Sequence, residues 1–425
     1  MSPSSRIVKI ILLVSCAHAL VHLLEQSIAS AEQVISEDYQ LTLTQSGYLG
    51  TALRLPYGLG AFFAGLLAAR FGEKRILVLY LAGAAIVCVS FLFSTNAPMV
   101  YAQLLTLGAF ASMYHPAGLA LLANETTPAE RSRALGMHGV FGSLGIAAAP
   151  FLAGLMLSLR PGDWKTYYLL LGLISGMLAV LVWLLLKPSD DRTARPFEVS
   201  RSTGPPATSS DSSEFQVWPY ALLVIGTALS GLVYGGVLHF LPRYLKESGA
   251  LAGLEELTGR SIPEAALGNY AAALALICGA FGQWAAGRMA RPKSLPLLLA
   301  VVYAANIPFL VWMTFAEGWQ RLFAACCWAF VHFMNQPLYN SLLPEFLPRS
   351  RRSVGFGFSN MMGFGVGAIG PPLVAKFGTQ FADYTISYSA LAVLIFVAAV
   401  LPLPLMRAGF ADREHDRPKK SEESS

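Results

Sequence analysis

The chain has 425 residues, 55% of them hydrophobic and only 13% charged, with 30 Lys and Arg against 25 Asp and Glu for a net charge of +5. A soluble domain carries about a quarter of its residues as charges, so these cannot cover one or two water-facing domains. The balance excludes a cytosolic enzyme, a nucleic-acid binder and a secreted disulfide scaffold. It points to an all-α, polytopic membrane protein.

Apolar runs separated by charge, Gly and Pro clusters predict twelve membrane-spanning helices. They lie near 7–29, 46–69, 75–94, 98–123, 133–157 and 165–187, then near 218–243, 266–287, 294–315, 321–343, 353–375 and 384–406. The first run follows Arg6 and Lys9 and ends near Ala29-Ser30-Ala31, which resembles a signal-peptidase site. His18, His22 and Glu25 would be out of place in a disposable leader, so the run is read as the first transmembrane helix. Between the sixth and seventh spans the chain turns rich in Ser, Pro, Thr and charge, giving a flexible linker over 188–217 between bundles at 1–187 and 218–406. Residues 407–425 form a similar tail. The five cysteines (Cys16, Cys88, Cys278, Cys326, Cys327) fall inside apolar runs without a C-x-x-C pair and read as small core residues.

Alternate loops differ in charge. Arg6, Lys9, Arg70, Lys74, Arg75, Arg131, Arg133, Lys187, Arg288, Arg291, Lys293, Arg349, Arg351, Arg352 and both flexible segments fall on one side. Arg160, Lys165, Arg243, Lys246, Arg260, Arg321 and Lys376 fall on the other. This roughly threefold bias predicts that both termini are cytoplasmic.

The chain also repeats itself. A shift of 221 pairs Met113 with Met334, Pro116 with Pro337, Leu121-Leu122 with Leu342-Leu343 and Arg131-Ser132 with Arg352-Ser353. It continues through Gly136 and Gly357, Gly142 and Gly363, Ala147 and Ala368, Pro150 and Pro371, and Leu152 and Leu373. Upstream the same shift pairs His18 with His239 and Gly47 with Gly268, which places His239 at the depth of His18, whereas counting from Trp218 places it close to the outer surface; the repeat is given the greater weight. Two parallel six-helix halves suit a carrier that rocks about a central site.

Three motifs carry a family resemblance. Gly65-Leu-Leu-Ala-Ala69-Arg70-Phe-Gly72-Glu73-Lys74-Arg75 resembles the loop 2–3 signature of the major facilitator superfamily, in which a charge cluster latches the two halves together. Ala69 and Glu73 depart from that pattern, so a latch at Ala69 is impossible. Span five, with Gly142, Gly145, Pro150 and Gly154, resembles the helix-five signature of drug:proton antiporters, which implies close helix packing and a kink at Pro150. Tyr114-His115-Pro116-Ala117-Gly118 resembles an element of the fosmidomycin-resistance branch. The resemblance implies secondary active transport in a bacterial inner membrane, without an enzymatic reaction or a cofactor, by a monomer.

Titratable groups inside spans are costly and therefore functional candidates. His18, His22 and Glu25 share one helical face. Counted from Lys9, His18 is near half-depth and Glu25 about 24 Å in; Arg54, counted from Arg70, is also about 24 Å in. An ion pair between them is expected, either structural or as the resting state of an anion-binding Arg54, with snorkelling to the interface the remaining reading. His115 stands about 13 Å from the inner surface beside Pro116, where freed carbonyls line a cavity, and is expected to serve substrate or proton unless it only packs helices. His138 is expected nearer the loop, in a structural role. His332, Asn335, Gln336 and Asn340 in span ten suggest a second cavity wall, with Tyr57, Gln103, Tyr234, Asn269, Asn306 and Asn360 as weaker candidates. The His18–His22 pair lacks a third metal ligand that sequence can place, so no metal site is expected. With no nucleotide-binding motif, coupling is expected to come from protons through His and Glu.

The leading expectation is proton-coupled efflux of a small anionic or amphiphilic solute. The alternatives are an importer of a solute or metal chelate, a membrane sensor without transport, and an intramembrane hydrolase built on His18, His22 and Glu25.

Overall fold

Apolar character on every face, rather than one stripe, makes these helices stable only when packed on one another or against lipid. The computed structural model describes residues 3–126, 128–186, 215–291, 294–348, 351–381 and 384–406. The expected linker therefore falls almost wholly outside the described residues, and so does the tail after Met406.

The first half comprises α1 (Pro3–Asp38), α2 (Leu43–Phe71), α3 (Glu73–Ser90), α4 (Ala97–Ala111), α5 (Tyr114–Glu125), α6 (Pro128–Leu159) and α7 (Trp164–Leu185). The second comprises α8 (Val217–Lys246), a short α9 (Gly253–Thr258), α10 (Glu264–Met289), α11 (Leu295–Phe315), α12 (Trp319–Phe333), α13 (Asn335–Leu342), α14 (Arg352–Gly367), α15 (Gly370–Phe381) and α16 (Tyr384–Val400). These make twelve passes, since α4–α5, α12–α13 and α14–α15 are each one pass interrupted near its middle. Ten passes are long and apolar enough to cross a membrane by length and composition. The other two are the interrupted α12–α13 and α14–α15.

Proline explains the interruptions. Pro116 cannot bond the carbonyl of Ser112, and Pro337 cannot bond that of Phe333. The chain leaves helical hydrogen bonding at 112–113 and again at Met334, one repeat apart. The tandem Pro371-Pro372 likewise ends α14 at Gly367. Pro150 does not interrupt its helix, since α6 runs on through it to Leu159, and Pro56, Pro242 and Pro308 likewise lie inside unbroken helices.

Turn chemistry fixes the ends of the passes. Thr42 and Gln45 form a capping box at the start of α2, Asn96 caps Met99, and Asp163 caps Thr166. Gly72, at φ +86°, makes the turn from α2 to α3 that a side chain would oppose. At this end, called here the basic end, Arg6 pairs with Glu125 at 3.0 Å and Lys74 donates to the Trp183 carbonyl at 2.8 Å. At the opposite end Trp164 donates to Asp38 at 3.0 Å.

Each half has its own core. One gathers Val14, Leu53, Tyr80, Leu107 and Leu171; the other Val237, Leu276, Leu299, Trp328 and Leu391. The halves meet mainly at the end opposite the basic one. There a Cβ on Gly47 would lie 2.9 Å from Pro372 backbone, and Thr51 donates to the Ala368 carbonyl at 2.6 Å. Gly136, Gly139 and Gly357, towards the basic end, have no such neighbour within 4 Å. The two halves thus close at one end and part at the other.

Candidate functional site

Where the halves part, they enclose a cavity of about 840 Å³, mouth included, walled by α1, α2, α6, α8, α10, α12, α13 and α14. Asn340 and Asn360 are exposed and Gln283 half-buried on its lower wall, while His22, Arg54 and His332 are buried at its head.

The charged pair expected from depth counting is present. Arg54 Nη2 lies 3.7 Å from Glu25 Oε1, with the two side chains 2% and 0% exposed. Gln26 bridges the halves beside them: its amide oxygen accepts from Arg54 at 3.2 Å and its nitrogen donates to Tyr234 Oη at 2.8 Å. The guanidinium lies over the Tyr234 ring at 5.2 Å. Arg54 therefore points into the protein, not out to an interface. Its Nε has no hydrogen-bond partner among the described residues.

Beside this pair lies a cluster of four imidazoles. His22 bonds Glu25 through Nδ1 at 3.2 Å and His18 through Nε2 at 3.2 Å. His18 Nδ1 meets the carbonyl of His138 at 2.7 Å, and the rings of His18 and His138 stack at 3.7 Å. His115 Nε2 meets Tyr57 Oη at 2.9 Å and its ring lies edge-on to His18 and His22, at 5.4 Å from each. His18, His22 and His115 each bring a ring nitrogen within 4.8 Å of the others, a partner for the H-x-x-x-H pair that sequence could not supply. His138 corrects the expectation of a near-loop position. It stands level with His18, on whose ring it stacks.

The second half presents hydrogen-bonding groups without fixed charge. His332 Nδ1 bonds Asn306 at 2.9 Å and stacks on Trp328, Asn335 donates to Ser230 at 3.1 Å, and Gln336 accepts from Gln283 at 2.7 Å. Ser143 on α6 donates to Gln283, joining the halves across the cavity. Of the weaker candidates, Tyr234 and Asn360 line the cavity and Tyr57 holds His115. Gln103 bonds Ser90 and Ser94 within the first half, and Asn269 bonds the Ser30 carbonyl.

His239 requires a correction. It is fully buried at the closed end, where its Nε2 meets the Ser46 carbonyl at 2.9 Å, away from the depth of His18. Packing shows why. Gly145 on α6 abuts Ala19, whereas Gly363 and Gly367 on α14 abut Gly231 and Gly235. Ala19 therefore matches the region of Gly231, and the shift of 221 does not hold for the first pass. Residues 39–42 join α1 to α2, but 247–263 join α8 to α10 and contain α9, and this longer connection absorbs the offset.

The remaining predicted positions make the following contacts. A Cβ on Gly65 would lie 3.7 Å from Pro116, Arg70 lies over Phe71, and Lys74 reaches Trp183, all within the first half. Gly145 meets the Ala19 carbonyl and Gly154 meets Tyr270. Sequence reasoning missed a pair that does join the halves. Arg243 grips Glu32 through Nε and Nη2, both at 2.9 Å, and Ser46 donates to the same carboxylate. In the sequence Arg243 reads only as a loop charge, and Glu32 lies beyond the expected end of span one.

The family model of the Major Facilitator Superfamily matches residues 14–371. The chain belongs to that superfamily. A major facilitator protein is a membrane transporter and not an enzyme. Two similar proteins are "Probable sulfoacetate transporter SauU" of Cupriavidus necator, 24% identical over 91% of this chain and 92% of that protein, and "Probable 4-methylmuconolactone transporter" of Cupriavidus pinatubonensis, 25% identical over 77% and 74%. Two solved structures of a bacterial homolog to the human lysosomal transporter Spinster share the fold. The inward-facing unoccupied form has TM-score 0.72 at 14% identity over 95% of this chain and 97% of that one. The inward-facing occupied form has TM-score 0.70 at 16% identity over 97% and 98%.

Proposed function

We propose that this chain is a secondary active transporter that moves a small organic anion across a bacterial inner membrane by alternating access, driven by protons. The observation that carries the reading is Arg54, a buried cation at the head of a central cavity whose carboxylate partner stands at 3.7 Å, outside close hydrogen-bonding range. A guanidinium so placed can exchange Glu25 for a substrate carboxylate or sulfonate, which it binds through paired donors. His332, Asn335, Gln336 and Asn340 supply neutral hydrogen bonds to the rest of the solute. The two Cupriavidus relatives are named for small organic compounds, sulfoacetate being an anion by its chemistry, and this supports the same class. The excess of Lys and Arg at the basic end supports a cytoplasmic location for it. On that reading both termini are inside, residues 188–217 link the halves on the cytoplasmic face, and the cavity faces inward. The unit of transport is a monomer.

Export of a drug-like or phosphonate solute is a second reading, favoured by the Tyr114-His115-Pro116-Ala117-Gly118 element. The two differ in the sign of coupling: protons travel with the solute in one and against it in the other. Solute-driven proton flux in proteoliposomes distinguishes them.

The class of solute is tested by ligand-dependent melting of the purified protein with sulfoacetate, dicarboxylates, phosphonates and organic cations. A ligand at a hundred times its Kd stabilises the native state by about 2.7 kcal/mol. Organic anions should raise the melting temperature, and Arg54→Gln should abolish the rise. Stabilisation by cations alone would overturn the proposal.

A further inference from the structure

We infer that the row His18–His22–Glu25 on α1 holds one transferable proton, and that this proton is taken up together with the anion that Arg54 binds. The anion half of this inference rests on the function proposed above, whereas the proton count rests on hydrogen bonds alone.

Each contact in the row needs a hydrogen between its heavy atoms. The His138 carbonyl can only accept, so His18 Nδ1, at 2.7 Å from it, carries a proton. That leaves His18 Nε2 as a lone pair directed at His22 Nε2, 3.2 Å away. His22 Nδ1 in turn faces Glu25 Oε2 at 3.2 Å. Three contacts require three protons, but two neutral imidazoles and an ionised carboxylate bring only two. The third is an additional proton. It can be drawn on His22 as an imidazolium or on Glu25 as the acid; the two drawings differ only in the position of the hydrogen between Nδ1 and Oε2. Removing it sets two nitrogen lone pairs, or a nitrogen and a carboxylate, against each other in a buried site.

The groups facing the row have commitments of their own. On α2, Arg54 faces Glu25, and Tyr57 bonds His115 of α5. Tyr114 of α5 donates to the Val14 carbonyl at 2.7 Å, so its oxygen accepts the Nε2 proton of His138 on α6 at 2.8 Å. Tyr80 of α3 donates to the Ala17 carbonyl at 3.3 Å, Tyr168 of α7 accepts from Ser27, and Tyr234 of α8 bonds Gln26. Arg54 is the one fixed charge among them.

Charge counting then ties the proton to the solute. Glu25 cancels Arg54, and the extra proton leaves the group at plus one. A monoanion on Arg54 restores neutrality. If the anion draws Arg54 away while the row lacks its proton, Glu25 is left as a fully buried, uncompensated charge, which is strongly unfavourable. Each ligand therefore favours the other, by the same factor in both directions. The sense is co-transport. A divalent metal on His18, His22 and His115 would instead place two further positive charges beside Arg54 against a single carboxylate.

The test is nitrogen NMR of the full-length protein, isotope-labelled at histidine, in lipid nanodiscs with and without zinc chelation. Beside the resonance of a proton between His22 Nδ1 and Glu25, which reports the additional proton and whose absence overturns the count, the expected signal is one N–H···N proton coupled to two imidazole nitrogens, lost in His22→Gln and in His18→Gln and kept in His115→Gln. Its loss in His115→Gln, its survival in His22→Gln, or stoichiometric bound zinc would each overturn the inference. Because His18→Gln could perturb packing, His22→Gln, which faces the cavity, is the deciding variant once shown to be monodisperse. With methanesulfonate, a monoanion, as the probe, wild-type affinity should weaken about tenfold per pH unit above the midpoint of proton loss. His22→Gln should flatten that slope, while Arg54→Gln should lose methanesulfonate and keep the shared proton. Binding without any pH slope in the wild type overturns the coupling. Failure of every anion to bind, with the shared proton present, overturns the anion reading while supporting the proton site.

Discussion

Glu25 and Arg54 are nearly unexposed, so their value to the protein differs from that of a surface ion pair. Removing one partner of a buried pair leaves the other without compensation and costs about 3–5 kcal/mol, whereas replacing both by neutral groups is often nearly neutral. Arg54→Met should therefore lower thermal stability in detergent markedly, and Glu25→Met with Arg54→Met should recover most of the loss. Equal, additive losses would mean that the two residues act independently. These residues were legible in the sequence because a charge in an apolar run stands out, and counting along straight helices placed both at one depth. Glu32 and Arg243 were not legible in the same way. Their pairing depends on α1 continuing to Asp38 and on how the two halves face each other, and neither is encoded in local hydropathy.

At the scale of single helices, α6 shows what its glycines are for. A Cβ on Gly145 would run into the Ala19 carbonyl, whereas one on Gly139 would meet nothing within 4 Å. Gly145→Ala should lower the melting temperature, with overpacking costing about 1–3 kcal/mol. Gly139→Ala should leave it unchanged or raise it, since Ala gains up to about 1 kcal/mol over Gly in a helix. If both are tolerated equally, α1 and α6 do not pack as closely as described. The interruptions of the fourth and tenth passes were foreshadowed by Pro116 and Pro337, because a missing donor acts locally. The displacement of His239 arises from the length of a connection, which a gapless repeat has no means to reveal, although the count from Trp218 pointed to it.

Across the whole molecule, closure at the end away from the basic loops depends on few polar contacts. The Arg243–Glu32 grip is bidentate and partly buried, and hydrogen bonds to charged groups contribute about 1.5–3 kcal/mol. Glu32→Gln should therefore move the balance towards opening at that end by about ten- to a hundredfold. A cysteine at Thr51, in a background without native cysteines, should then react correspondingly faster with a membrane-impermeant thiol reagent. An unchanged rate would assign closure to the Gly47–Pro372 contact instead.

The separation of the two cores has a genetic corollary. The cavity belongs to neither half, since Arg54 comes from one and Asn335 from the other, yet each half buries its own apolar interior. A gene divided between the codons for Leu186 and Phe215 would encode two polypeptides that each keep most of an interior, short of Ile146 and Ala147 in one core and Ala266 in the other. Apart, each would carry one wall of a binding site and no floor to stand it on; together, they would regain a site that neither inherits alone.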